Sequence, residues 1–547
     1  MTKSHRPISP PPDISPGGIS RRPRITRRAF MGKGAFGLGS VAFSSALFEA
    51  LLSSTGCKPG PGSAGGAASD MIIPEDVLAR AVSHLMAKGA DFADVYVERA
   101  AFDSVMSDDR KINTTTTIEK GVGCRAVKDG RTFYAYTNSF EPERLYETAR
   151  YVADAAAATA ASSAPPVITL APLTSALSFP IKPLPSEIGV DRKIALFQSL
   201  TDRAWSADPH VVQALQLLRE IIRQINIAAS DGRIVRQTLG LTEFIAQTYV
   251  KGADGQLQAA WDQRGAYAGR DFFTGDNAFE KIVDAAAAKA VKLLEAVDSP
   301  RGVFPVVFGP GMNGVLFHES CGHGMEADLV FKGSNYKDQI GKQTAAKGVT
   351  LVDDGTIASF PGSYAFDDEG TPSERTVLIE DGTQRNYLCD KVWGEKLGMK
   401  STGSGRRQSF RYPPIPRMRN TFIDKGQAPA ADIIAATKRG IYIADVGGGG
   451  QVDVITGNFM MGVGEACLIE DGKMTRPIKG ATISGMGIET MKSIDMVGDD
   501  LELFPSAGRC GKMQAAPVGM GMPTIRVRNI LVGGKGEAWT DIEGGSK

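Results

Sequence analysis

Apolar residues at helical and alternating spacing predict a first half of the chain that mixes helices and strands. The stretch IPEDVLARAVSHLMAKG, residues 73–89, carries apolar side chains at helical spacing and ends at a glycine, which predicts a helix. The following ADVYVERA alternates like a strand, and VGCRAVKDGRTFYAYTN predicts a hairpin that turns at Asp129-Gly130. A second helix is predicted over about 141–162, where SSAPPVITLAPL interrupts the pattern.

Extended segments and one more helix complete this half. Residues 227–269 contain extended runs separated by Asp-Gly turns, which predict an antiparallel sheet. Residues from about 277 to 296 then return to a helical pattern. We therefore expect an N-terminal α/β domain over residues 71–299.

The pattern changes at about residue 303. GVFPVVFGPGMNGVLFHESCGHGMEADLV predicts a buried strand, a Gly-Pro turn and a helix. Short extended segments punctuated by glycine follow, among them VTLVDDGTI, RTVLIEDG and TIRVRNILVGG. These segments predict a β-rich C-terminal domain over residues 300–547 into which the helix is inserted, and hence an α+β fold for the whole chain.

The first 70 residues have the features of a targeting segment. Consecutive Arg27 and Arg28 precede a weakly apolar run, as in the twin-arginine signals that export folded proteins across the bacterial inner membrane. Cys57 follows Ser-Thr-Gly and resembles a lipoprotein processing site, so a lipid anchor is a further prediction. We expect a signal over residues 1–57, a flexible linker over 58–70, and a periplasmic or membrane-anchored protein.

Charge argues against nucleic acid as a partner. The 547 residues carry 62 basic and 61 acidic side chains, and residues 1–57 hold eight of the basic and two of the acidic ones. The remainder therefore has 54 − 59 = −5 charges, which gives no support for a phosphate-binding surface. The six cysteines are too sparse for a disulfide-stapled scaffold.

The segment HESCGH, residues 318–323, holds two of the five histidines in the chain and an acid between them. Zinc hydrolases often use H-E-x-x-H on a helix, but His318 and His323 are one residue further apart. Positions five apart on a regular helix differ by about 140° in direction, so these histidines could not easily share one ion. An extra residue accommodated as a π-type bulge would bring them together, and Gly322 leaves space for it.

A catalytic zinc site needs a third protein ligand and one open position. Spacing leaves several candidates for that ligand. They are Cys321, Glu326, Asp328, Glu465, Cys467 and Cys510.

Six segments, in consistent order, resemble the TldD branch of the TldD/PmbA metallopeptidase family. They are HESCGHGMEAD, VDDGT, FDDEGTP, STGSGRRQSFRYPPIPRMRNTFI, GEACLIEDGKMTRPIKGATISG and RCGKMQAAPVGMGMPTIRVRNILVGG. The resemblance implies one zinc ion per chain, bound by His318, His323 and Cys510, with Glu319 as the catalytic acid and base. It also implies a dimeric assembly that encloses the site, either a homodimer or a heterodimer with a PmbA-like chain.

The resulting expectation is a zinc-dependent peptidase that hydrolyses peptides or unfolded polypeptide segments. The alternative from another class is a non-catalytic envelope assembly or binding subunit that uses the same fold. A role as a modulator of DNA gyrase disagrees with the export signal and with the acidic body of the chain. Metal content distinguishes the enzyme from the binding subunit.

Overall fold

The computed structural model of the chain describes residues 72–157, 166–179 and 181–540. The predicted signal, the linker, Arg27, Arg28 and Cys57 lie outside these residues. Within them, no helix combines the length and the apolar character needed to cross a membrane.

The helices of the first half are longer than those of the second half. They are α1 Glu75–Met86, α2 Pro142–Ala156, α3 Val190–Ser206, α4 Phe279–Lys292, α5 Val315–Phe317, α6 Ala327–Phe331, α7 Lys391–Lys396, α8 Ala430–Ala435 and α9 Gly487–Lys492. Helix α1 buries Leu78, Ala81, Val82 and Leu85, the apolar stripe that predicted it.

Long strands belong to the first half and short strands to the second. Strands up to residue 300 are β1 Phe92–Asp108, β2 Lys111–Lys128, β3 Arg131–Thr137, β4 Ala171–Pro172, β5 Val211–Ala229, β6 Arg233–Lys251, β7 Leu257–Ala266 and β8 Val297–Asp298. The next are β9 Arg301–Phe308, β10 Leu351–Asp354, β11 Arg375–Glu380, β12 Thr383–Gln384, β13 Gly405–Arg406, β14 Ile415–Pro416, β15 Asn420–Ile423, β16 Arg439–Ile443, β17 Val446–Asp453 and β18 Asn458–Val463. The last are β19 Ala466–Glu470, β20 Lys473–Lys479, β21 Thr482–Met486, β22 Ile494–Val497, β23 Glu502–Phe504, β24 Arg509–Lys512, β25 Gln514–Pro517, β26 Gly519–Met522, β27 Ile525–Gly533 and β28 Ala538–Trp539.

The N-terminal sheet has the order β3-β2-β1-β5-β6-β4, and β7 also pairs with β6, which makes seven strands among the described residues. Its long strands are antiparallel, as the Asp-Gly turns predicted, and only the short β4 runs parallel to β6. Helices α1 and α2 pack on this sheet over an apolar cluster that includes Val95, Val122 and Leu145.

The C-terminal half is built mainly on two sheets. Among the described residues, one has eleven strands, with β27, β9 and β16 adjacent at its centre, and the other has six in the order β12-β11-β10-β15-β26-β23. Strand β9 is buried at Phe304, Val306 and Phe308, and the segment that carries both histidines of HESCGH follows it directly. The fold is thus mixed α+β with a β-rich, helix-poor C-terminal region, as predicted.

Two helix predictions differ from the structure at their ends. Helix α2 ends at Ala156 and not near residue 162, and residues 158–165 lie outside the described part. Helix α4 ends at Lys292 and not near residue 296, because Val297 and Asp298 pair with Ile478 and Lys479 in the large sheet. A pairing with residues 181 positions away leaves no signal in the local pattern.

Candidate metal centre

A fixed turn connects the central strand β9 to the histidine segment. Gly309 and Pro310 follow β9, and Gly311 has φ +79°, a conformation that glycine adopts without strain. The amide of Asn313 donates to the carbonyls of Gly309 (2.9 Å) and Ile443 (3.0 Å). These bonds attach the start of the motif to the end of β16, at the centre of the large sheet.

The five-residue spacing of the histidines is accommodated by a π-helical turn over His318–Gly322, which confirms the bulge that the sequence predicted. The backbone N–H of His323 donates to the carbonyl of His318, a bond that spans five residues. The turn is closely packed: a Cβ on Gly322 would lie 2.1 Å from the sulfur of Met418. As a result the two imidazole rings lie near each other, with centroids 5.4 Å apart.

A separate hairpin supplies a cysteine to the same place. Strands β24 and β25 form a two-stranded sheet that turns at Met513, where φ is +58°. Cys510 and Lys512 are both buried on one face of β24, whereas Gly511 between them is exposed. Arg417 donates to the carbonyl of Cys510 (2.7 Å) and thereby holds the strand in position.

The structure brings together all four residues to which the family resemblance assigned a role. One ligand atom from each of His318, Glu319, His323 and Cys510 lies within 4.8 Å of the others. The sulfur of Cys510 is 3.1 Å from Nε2 of His323, and a carboxylate oxygen of Glu319 is 3.6 Å from the same nitrogen. The histidines and the cysteine are at most 5% exposed, whereas the Glu319 side chain is 31% exposed.

A buried ion-pair network orients His323. Its Nδ1 is 2.8 Å from a carboxylate oxygen of Glu326, which in turn accepts a bond from Lys512 (2.8 Å). Lys512 also donates to Asp328 (2.7 Å) and to the carbonyl of Pro416 (2.8 Å). A carboxylate on Nδ1 leaves Nε2 directed toward the cluster, which is the common arrangement behind histidine ligands of metals.

Charge within the cluster favours a thiolate. Burial acts to raise the pKa of the Cys510 thiol, but the charges on His323 and Arg417 bring that pKa well below its ordinary value. Burial acts to lower the pKa of His323, yet Cys510 and Glu326 hold it well above the usual range. Burial acts to raise the pKa of Glu326, and Lys512 together with His323 brings it well below the ordinary value.

The donor set fits a zinc ion. Both ring nitrogens of His318 are buried and neither makes a hydrogen bond of acceptable distance and angle among the described residues, although the ring is close enough to Cys510 to help lower the pKa of its thiol. A buried polar atom without a partner is costly, and a metal ion at the cluster would supply one. Two imidazole nitrogens and one thiolate are ligands that tetrahedral zinc accepts, and they leave a fourth position open.

The other candidate ligands lie elsewhere or have other partners. Cys321 is buried in the apolar core, and burial raises the pKa of its thiol to about 11. Glu326 and Asp328 are engaged by Lys512. Glu465 pairs with Lys292 at the surface, and Cys467 lies half-buried in β19. None of these five belongs to the cluster of ligand atoms found in the described part of the chain.

Sequence reasoning missed the role of Lys512. The residue lies two positions beyond Cys510, and side chains two apart on a strand share a face. This two-residue periodicity of strands was a usable signal, since any strand that directs Cys510 toward the histidines also directs Lys512 toward them. Glu326 was considered only as a ligand, although three residues after His323 on a turn it is also placed to accept from the ring.

The fold and the cluster together define an α+β protein with a candidate zinc centre on a π turn. Models of the PmbA/TldA metallopeptidase domains match in order: domain 1 over residues 93–160, the central domain over 183–294 and the C-terminal domain over 301–534. A Haemophilus influenzae protein named metalloprotease TldD homolog is 37% identical over 455 residues, covering 82% of this chain and 94% of the relative. A Methanothermobacter thermautotrophicus metalloprotease is 30% identical over 468 residues, covering 81% of this chain and 96% of the relative.

Solved structures show the same fold at lower identity. TldE from Thermococcus kodakarensis superposes with a TM-score of 0.66 at 21% identity, covering 84% of this chain and 99% of that one. A Thermotoga maritima protein, named as a candidate modulator of a DNA gyrase, superposes with a TM-score of 0.68 at 19% identity, covering 84% of this chain and 100% of that one. The chain belongs to the TldD/PmbA metallopeptidase family.

Proposed function

We propose that the chain is a zinc-dependent peptidase whose metal ion is held by His318, His323 and Cys510. The observation that carries this proposal is the pair of buried, unpartnered nitrogens of His318 beside Nε2 of His323 and the sulfur of Cys510. A Saccharolobus solfataricus relative named zinc metalloprotease TldD homolog, 30% identical over 249 residues, supports the choice of metal. It covers 45% of this chain and 55% of the relative.

Glu319 is the proposed proton carrier. When bound, zinc would polarise the scissile carbonyl and acidify a water molecule. The Glu319 carboxylate follows a ligand in sequence, lies 3.6 Å from the second histidine and is partly open to solvent. It is therefore placed to accept the proton of the attacking water and to return it to the leaving amine. During both proton transfers, the ion pair of Glu326 and Lys512 keeps Nε2 of His323 directed toward the cluster.

The burial of the cluster favours extended substrates. His318, His323 and Cys510 are between 1% and 5% exposed, so only a narrow chain segment could bring a peptide bond to them. We infer that peptides and unfolded segments are hydrolysed and that folded domains are excluded.

Zinc removal and restoration test this function. The purified chain should cleave unstructured peptides, lose the activity on dialysis against a chelator and regain it when zinc is returned. A stably folded protein should resist cleavage, while the same protein, reduced and denatured, should be cut. A purified chain that holds no zinc and cleaves no peptide would favour the binding subunit, and equal cleavage of folded and denatured substrate would contradict the proposed access.

Export is a separate proposal, carried by Arg27 and Arg28 before the weakly apolar run. Replacing both with lysine should leave the precursor in the cytoplasm, and Cys57→Ser should release the protein from the membrane fraction. Cell fractionation measures both effects. Unchanged envelope localisation of the double lysine variant would reject this route.

A further inference from the structure

The hairpin that supplies Cys510 belongs to none of the larger sheets. Among the described residues, strands β24 and β25 pair only with each other. A two-stranded hairpin is at best marginally stable alone, so the position of Cys510 depends on the contacts of its hairpin with the rest of the chain. Arg417 donates to the carbonyl of Cys510 (2.7 Å), and Arg406 donates to that of Pro517 (2.7 Å). The C-terminal half thus holds the hairpin by its backbone.

The chain just before this hairpin lies against the N-terminal sheet. The backbone N–H of Gly265, in strand β7 of that sheet, donates to the carbonyl of Pro505 (2.7 Å). The side-chain amide of Gln263 donates to the hydroxyl of Ser506 (3.1 Å). A Cβ on Gly265 would lie 2.8 Å from the carbonyl oxygen of Ser506, so glycine is needed for this close approach. The N-terminal sheet therefore contacts the segment that leads to Cys510.

Arg509, the residue before Cys510, forms an ion pair with the same sheet. Successive side chains on a strand point to opposite faces, so Arg509 is directed away from the metal cluster when Cys510 is directed toward it. Its guanidinium donates to a carboxylate oxygen of Glu243 in β6 (3.3 Å). Arg219, opposite Glu243 in β5, contacts the same oxygen at 3.0 Å. One buried acid thus lies between two arginines, and one of these arginines is adjacent in sequence to a proposed metal ligand.

Little solvent screens the charges in this group of three. The side chain of Glu243 is fully buried, and those of Arg219 and Arg509 are 14% and 22% exposed. Burial lowers the pKa of Arg219 to about 10, Glu243 opposes that shift, and the charge on Arg509 adds to it. The two guanidinium groups thus repel each other across the carboxylate. Without the charge of Glu243, this repulsion would move Arg509 away from the sheet, together with the backbone of Cys510 next to it.

We propose that Glu243 is a positioning residue for the metal centre and that it acts through Arg509 on the place of Cys510. The ligands of the zinc site, on whose proposed function this inference rests, all lie in the C-terminal half, but the N-terminal sheet fixes the position of one of them. Glu243 is not a member of the cluster of ligand atoms in the described part of the chain, so it acts without binding the metal. Zinc affinity should therefore depend on a contact between the two halves of the chain.

Glu220 provides a matched control on the same sheet. Its side chain is 2% exposed and likewise lies between two cations, here Lys193 (2.9 Å) and Arg270 (2.9 Å). Glu220 follows Arg219 on β5, and consecutive side chains of a strand point to opposite faces of the sheet. Glu220→Gln therefore removes a buried charge of the same kind on the face that is turned away from Arg509.

Zinc affinity of the purified full chain, measured by chelator competition, tests the contact. Glu243→Gln should raise the zinc dissociation constant about tenfold, at the lower end of the usual range for groups that orient a metal ligand. Arg509→Gln should have a similar effect, and the double variant should be no worse, because both residues act through one contact. Glu220→Gln should lower thermal stability and leave the zinc dissociation constant unchanged. Equal zinc affinities of Glu243→Gln and the wild type, or an equal loss in Glu220→Gln, would overturn the positioning role.

Thiol labelling of the zinc-free chain tests the position of Cys510 independently of metal binding. Cys510 is 5% exposed, so its alkylation, followed by mass spectrometry of its peptide, should be slow in the wild type and severalfold faster in Glu243→Gln. Cys321, which is fully buried, is the internal reference and should react at the same rate in both. A wild type that binds no zinc would contradict the proposed function, and faster labelling of Cys510 in Glu243→Gln alone would still support this role of Glu243. Equal labelling of Cys510 in Glu243→Gln, Glu220→Gln and the wild type would overturn it.

Discussion

Glu319 differs from the other three residues of the cluster in its access to solvent. Its side chain is 31% exposed, whereas His318, His323 and Cys510 are buried. A proton carrier needs contact with water and a metal ligand does not, so the difference agrees with the proposed roles. We expect Glu319→Gln to retain zinc and to lower peptide turnover by about 10²–10⁴-fold, the usual contribution of a general acid or base. Metal analysis and cleavage assays on the same preparation check this, and loss of zinc would make Glu319 a ligand.

Lys512 neutralises two buried carboxylates behind His323. Its side chain is 7% exposed and bonds both Glu326 and Asp328. Lys512→Met removes the buried cation that the two acids share and leaves Glu326 its contact with His323 and Asp328 only its longer contact with Lys332, which costs about 3–5 kcal/mol of stability. It should also weaken zinc binding by about 10–100-fold, because the orientation of His323 is lost. Chelator competition and thermal unfolding measure the two effects.

Lys332 provides the matched control for Lys512. It contacts the same Asp328 at 3.7 Å, but its side chain is 49% exposed. Lys332→Met should therefore change stability by less than about 1 kcal/mol and leave zinc affinity unaltered. Equal effects of the two substitutions would show that the buried position of Lys512 has no special importance.

The residues of the cluster were not equally accessible to prediction. His318, Glu319 and His323 are neighbours in sequence, and their types alone indicated a metal site. Cys510 lies 187 residues beyond His323, and spacing could not distinguish it from five other candidates. Only the family resemblance selected it, since its position depends on a hairpin whose docking is a tertiary event.

At the scale of elements, the π turn was predictable because each residue of a regular helix rotates the side-chain direction by a fixed angle. Five residues turn a regular helix too far for two rings to meet, so the wider turn was required if both histidines share a site.

The long strands were harder to predict. Strands β1 and β2 turn at Asp109 and Arg110, both with positive φ, where no glycine or asparagine marks a turn. Residues 211–226 of β5 give no clear alternation, and pairing with β1 and β6 makes them a strand.

The close packing of the π turn gives a prediction at two glycines. A Cβ on Gly487 would lie 2.2 Å from the carbonyl oxygen of Ser320, a backbone atom of the turn that cannot move aside cheaply. Gly487→Ala should cost about 1–3 kcal/mol of stability and weaken zinc binding. Gly511, beside Cys510, has open space at its Cβ position, so Gly511→Ala should leave both unchanged. Thermal unfolding with and without zinc tests the pair, and a tolerated Gly487→Ala would mean that the turn adapts.

At the scale of the whole molecule, Arg125 joins the two halves of the chain. It is 1% exposed on β2 and donates to Asp94 of the N-terminal sheet (2.7 Å) and to Glu369 of the C-terminal half (2.6 Å). Arg125→Met removes the cation that two buried carboxylates share, leaving Asp94 only its longer contact with Arg407 at 3.4 Å, and should cost about 3–5 kcal/mol. Arg99→Met, at an exposed position of β1, is the control and should have little effect. Denaturant unfolding compares them, and equal midpoints would contradict the structural role of Arg125.

Zinc content across five preparations tests the central claim most directly. Elemental mass spectrometry should find one zinc ion per chain in the wild type and in Cys321→Ala, whose thiol lies in the apolar core. It should find none in His318→Ala, His323→Ala or Cys510→Ala, because each removes a ligand from a three-residue site. Zinc that is lost with Cys321 but kept without Cys510 would contradict the proposed metal centre.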